Sequence, residues 1–176
     1  MRRLLARAGG CGVLGALLGA ACLVLVYGVR PDLTIDFDRD LPRLVGGIHP
    51  PERDDQTGMT FAWTREAVVL RLPGLDRRVA WTLDVRARGA RAAPADNPEL
   101  YFLCDGILLE TRQSGPAFED VQITIPARPE RPRDAVMTIR ASKTFSPGAS
   151  DPRQLGFMLD RVRLTPSGAV LPPRDA

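Results

Sequence analysis

Val79-Ala80-Trp81-Thr82-Leu83-Asp84-Val85-Arg86-Ala87-Arg88 decides the fold. Val79, Trp81, Leu83, Val85 and Ala87 point to one side of an extended chain, and Thr82, Asp84, Arg86 and Arg88 to the other. Side chains alternate with a period of two in a strand, so this pattern gives one buried and one wetted face. Working outward, Val121, Ile123 and Ile125 alternate with Gln122 and Thr124 until Pro126 ends the run. Ala135, Met137, Ile139 and Ala141 alternate with Val136, Thr138 and Arg140.

Further strands are expected at 33–38, 60–64, 67–72, 100–104, 107–111 and 157–164, the last with a bulge around Asp160 where strict alternation breaks. The connections 46–58, 73–74, 89–98, 127–134 and 146–152 collect proline, glycine and aspartate. Proline there stays out of the ladders, where its missing N–H would cost a hydrogen bond. About nine short strands with no 3.6-residue apolar period point to an all-β fold, an antiparallel β-sandwich of jelly-roll type.

The first 29 residues read differently. Ala8 to Val29 is an uncharged run of 22 residues, preceded by Arg2, Arg3 and Arg7. At about 1.5 Å per residue a helix of this length spans a hydrocarbon layer of roughly 30 Å. The sequence therefore predicts a cytoplasmic N-terminus at 1–7, a transmembrane anchor at 8–29, the sandwich at 31–165 and a disordered tail at 166–176. By the positive-inside bias the anchor sits in the inner (cytoplasmic) membrane with the domain on the periplasmic side. A cleaved or lipidated signal, with Cys22 as the modified residue, is the rival reading. Gly15 and Gly19 form a G-x-x-x-G pair, which suits either a helix-packing face toward a membrane-protein partner or a plain Ala/Gly/Leu anchor.

Charge and cysteine content exclude several classes. The net charge is +3, but removing the three anchor arginines leaves 21 basic and 21 acidic residues. A nucleic-acid partner needs concentrated positive charge, so none is expected. Cys11 and Cys22 lie in the apolar run, leaving Cys104 alone in the domain and without a disulfide partner. No nucleophile elbow, phosphate loop or zinc signature occurs, and the chain is read as non-catalytic.

With the strands placed, several phrases stand out: Gly47-Ile48-His49-Pro50-Pro51-Glu52, Thr60-Phe61-Ala62-Trp63-Thr64, Leu70-Arg71-Leu72-Pro73, Asp105-Gly106, Thr144-Phe145-Ser146-Pro147 and Arg153-Gln154-Leu155-Gly156-Phe157. In this order they resemble an extracytoplasmic β-sandwich domain of bacterial membrane proteins. Such a domain follows the first membrane helix of polytopic proteins similar to dolichyl-phosphate-mannose-type glycosyltransferases. The chain ends soon after the sandwich, so the resemblance implies a recognition or accessory domain of envelope glycan metabolism, with no transferase activity.

Four residues are candidates for ligand binding. His49, the sole histidine, either fixes the Pro50-Pro51 turn or meets a ligand together with Glu52. Trp63 and Tyr101 offer aromatic faces for a sugar ring, although Trp63 shares its phase with Phe61 and also reads as core. Asp36, Asp38 and Asp40 fall on one side of an extended chain. They form either a solvated strand face or a hard-cation site, a structural calcium. The leading expectation is a membrane-anchored module recognising a glycan or envelope component. A structural partner of a polytopic membrane protein comes next, and a carbohydrate-active enzyme third.

Overall fold

A computed structural model describes residues 18–19, 32–38, 43–55, 57–91, 93–149 and 151–167. The chain divides into two compact units, Met1–Pro31 and Asp32–Ala176.

Among its described residues the second unit is β apart from one short 3-10 turn at Pro94–Asp96, with nine strands: β1 Leu33–Asp36, β2 Val45–Arg53, β3 Thr60–Leu72, β4 Ala80–Arg88, β5 Glu99–Cys104, β6 Ile107–Gln113, β7 Glu119–Ile125, β8 Ala135–Ala141 and β9 Met158–Ser167. Every pairing among them is antiparallel. One layer runs β2-β3-β8-β5-β6 and the other β1-β9-β4-β7. They are joined through β3, whose first half pairs β9 (Ala62↔Leu159, Trp63↔Met158) and whose second half pairs β8 (Leu70↔Met137).

The alternation at 79–88 holds. Val79, Trp81, Leu83, Val85 and Ala87 are buried in a core shared with Leu70, Phe102, Ile123, Met137, Phe157 and Leu164. Cys104 is a buried core thiol. The ladder between β4 and β9 steps from Arg86↔Arg161 to Ala87↔Leu159, so Asp160 is the extra residue of a bulge, where the apolar rhythm broke. The β5–β6 hairpin closes on Asp105-Gly106, with φ of 51° and 78°. Two central residues at positive φ match the twist of the flanking strands.

Three elements depart from the sequence reading. Segments 60–64 and 67–72 form one strand, because Arg65 and Glu66 stay exposed while the ladder continues past them. The stretch 46–58, read as a loop, is largely β2. Among the described residues it pairs only with β3, and it carries two register shifts, between Gly46 and Ile48 and between Ile48 and Pro51. An edge strand with bulges accommodates Pro50 and Pro51, because its outer N–H positions need no partner. β9 also runs to Ser167, two residues into the segment read as tail.

The expected membrane helix is corrected. Among the described residues, no helix is long and apolar enough to cross a membrane. Most of 8–29, including Gly15, lies outside the described residues. Leu18 and Gly19 are helical and exposed, with open space where a Gly19 Cβ would sit. Spanning takes about 20 residues in one continuous helix. The anchor, the inner-membrane placement with a periplasmic domain, and the membrane-protein partner all rested on that helix and go with it.

Candidate ligand-binding site

β2 brings together two of the residues singled out in the sequence. His49 and Glu52 are both half-buried on this strand. Facing them is a small hairpin closed by reciprocal main-chain bonds between Phe145 and Leu155, each 2.9 Å, and carrying Asp151, Arg153 and Gln154. With its Nε2 protonated, His49 donates to the Gln154 carbonyl at 3.2 Å.

Arg153 is the centre of the cluster. Its Nη1 donates to Glu52 Oε1 at 2.6 Å, its Nη2 to Asp151 Oδ2 at 2.7 Å and its Nε to Asp151 Oδ1 at 2.9 Å. The guanidinium fork matches carboxylate geometry, so these charge-assisted bonds fix all three side chains. Donation from Arg153, from side chain and main chain, holds the Asp151 carboxyl below the usual carboxylate range, and the two carboxylates raise the Arg153 pKa. The side chains stay reachable from solvent, at 38% exposure for Glu52, 33% for Arg153 and 26% for Asp151. Next to them Asp38, Pro51, Glu52, Arg53 and Thr60 line an open cleft of about 320 Å³.

Beneath the hairpin lies a second, smaller apolar cluster of Phe61, Trp63, Leu155 and Met158, with Ala90, Phe118 and Phe145 packed on it. Trp63 is only 7% exposed, its ring centroid 5.5 Å from that of Phe145. The Arg91 guanidinium lies 4.0 Å from the Phe145 ring centre. It also donates to the carbonyls of Gly89 (2.7 Å), Gly156 (2.5 Å) and Leu155 (3.3 Å). Burial lowers its pKa. Arg91 thus ties the base of the hairpin to the sandwich, and Trp63 supports the site from below, its ring sealed from solvent.

The other candidates are scattered. Tyr101 is on the outer face of β5, three strands from β2 in the same layer; its Oη donates to Glu99 at 3.1 Å and Arg140 lies 5.3 Å over its ring. Asp36 is exposed on β1 opposite Arg161, Asp38 lines the cleft, and Asp40 lies outside the described residues. Among the described residues, no three metal-ligating side chains come together.

No family model and no curated protein matches the chain. Solved structures do match. A family 35 carbohydrate-binding module from Clostridium thermocellum is 10% identical and aligns over 77% of this chain and 98% of its own, with a TM-score of 0.47. A family 35 module from an environmental isolate is 13% identical, over 80% and 99%, also at 0.47. The C-terminal family 6 module of a marine laminarinase from Zobellia galactanivorans is 10% identical, over 77% and 99%, at 0.46.

The chain is similar to these modules. The resemblance to a domain of polytopic, glycosyltransferase-like membrane proteins is corrected accordingly, and with it the reading of a membrane-anchored accessory domain. The phrases that carried it lie in strands and turns common to any sandwich: Gly47–Glu52 in β2, Thr60–Thr64 in β3, Asp105-Gly106 in a hairpin turn. They specify a backbone, not a lineage.

Proposed function

We propose that this chain is a non-catalytic carbohydrate-binding module whose ligand lies on the rim formed by β2 and the 145–155 hairpin. The observation that supports it is the Glu52–Arg153–Asp151 clasp beside an open polar cleft. Planar carboxylate and guanidinium groups, held rigid by one another, keep lone pairs and N–H groups in fixed directions. Neighbouring hydroxyls of a sugar, each a donor and an acceptor, match such an array. Because the groups are already ordered, a ligand loses little free energy in immobilising them. Carbohydrate is also the ligand in the names of the modules above.

The electrostatics favour binding over hydrolysis. Glycoside cleavage needs a carboxylic acid with a raised pKa to protonate the leaving oxygen. Asp151 is shifted the other way and stays ionised. Asp160, raised by desolvation, sits instead in the β9 bulge with Arg86 Nε 2.9 Å from its carboxylate.

The test is a glycan array probed with the full chain, followed by calorimetric titration of the best oligosaccharide. Glu52→Gln and Arg153→Gln should each weaken that binding by roughly tenfold or more, a cost of about 1.4 kcal/mol, and leave the oligosaccharide intact. An array without hits, or affinities unmoved by both substitutions, would overturn the proposal.

A further inference from the structure

We infer that the outer face of the β2–β3–β8 layer carries a second docking site, a groove that takes an extended peptide segment bearing aliphatic and acidic side chains. Alternation along β3 sends Val68, Leu70 and Leu72 into the core and turns Val69 and Arg71 outward. On β8, Val136 is turned outward opposite Arg71 and is 41% exposed. Two adjoining clefts, of about 440 and 370 Å³, share Leu44, Val69 and Arg71 and so form one continuous groove. The larger adds Leu72, Pro73 and Val136; the smaller continues over Val45, Gly46 and Gly47. Gly46 has open space where a side chain would stand, which leaves the backbone of β2 approachable there.

Charge indicates what lies in this groove. Arg43 and Arg71 line it, both exposed, and neither forms an ion pair among the described residues. The one carboxylate in the lining among the described residues, Asp134, accepts a bond from the Gly74 N–H at 3.0 Å. Guanidinium walls over an aliphatic floor complement an anion with an aliphatic body, since the fork binds carboxylates in pairs of hydrogen bonds while the floor takes apolar area. Among the described residues no aromatic ring lines the groove. Branched aliphatic side chains of a peptide pack on Val and Leu, whereas a pyranose gains most from a flat ring. The occupant is therefore a peptide segment, and the site is distinct from the rim at Glu52 and Arg153.

The experiment is selection of a random peptide display library on the full chain, then fluorescence anisotropy with a synthetic peptide of the enriched class. Enriched sequences should combine Asp or Glu with Leu, Ile or Val, and binding should weaken as salt rises. Arg71→Glu and Val136→Asp, both at exposed positions, should each reduce affinity by roughly tenfold with unchanged thermal unfolding, while Glu52→Gln leaves it unaltered. Four results would overturn the inference: no enrichment, enrichment without acidic residues, binding indifferent to both groove substitutions, or a uronate oligosaccharide displacing the peptide from the groove.

Discussion

Arg91 shows how one side chain can hold a site it does not touch. Its fork spans three carbonyls from two segments while its flat face covers Phe145. Lysine keeps the charge but has no planar fork. Arg91→Lys should therefore cost about 1–3 kcal/mol in urea unfolding, with a red shift in Trp63 emission as the hairpin loosens. An unshifted spectrum would show that the hairpin holds without Arg91. Gly156 makes the same point by absence: a Cβ there would overlap the Arg65 carbonyl and crowd Thr64 Oγ1, which accepts the Phe157 N–H at 3.0 Å. Little of this was legible in the sequence. Arg91 sits in a Pro/Gly-rich connection, and its partners at 155–156 are more than sixty residues away. A bond of that span leaves no local pattern. His49 and Glu52 stood out because histidine is unique in the chain, whereas Arg153 was one arginine among many.

At the scale of elements, legibility followed burial on one face. β4, β7 and β8 alternate cleanly because each has the core on one side and water on the other. β2 did not, for an edge strand with two bulges and two prolines shows no period of two, and it is the strand that carries the site. β2 and the 145–155 hairpin are joined through the Arg153 clasp, and that joint titrates. The Asp151 carboxyl has a folded pKa below its unfolded value, near 3.9. Its ionised form therefore favours the closed hairpin above that value, and the contribution is lost as pH falls through the folded pKa. Backbone resonances of Arg153 and Gln154 should thus stay constant at neutral pH and move together below about pH 4. Asp151→Asn should abolish that titration and give the acid-state shifts at neutral pH. Resonances that still move below about pH 4 in Asp151→Asn would show that another group controls the joint.

For the whole β unit, β3 decides cooperativity, because one strand belongs to both layers. Its first half is bonded to β9 and its second to β8, so neither layer can unpair from β3 without exposing the core they share. Two tryptophans report on different sides of this arrangement. Trp81 lies in the main core, its Nε1 donating to the Asp76 carbonyl at 2.9 Å, and Trp63 lies under the hairpin in the smaller cluster. Single-tryptophan variants, Trp63→Phe and Trp81→Phe, separate the two signals. If the unit unfolds as one, Leu70→Ala should lower both urea midpoints equally, by about 2–5 kcal/mol of stability. Arg91→Ala should behave differently, since it loosens the small cluster without opening the main one. Trp63 emission should then change at lower urea than Trp81 emission, a local opening below the global transition. Coincident midpoints in Arg91→Ala would mean that the hairpin and the sandwich are one cooperative unit, with the site as stable as the core beneath it.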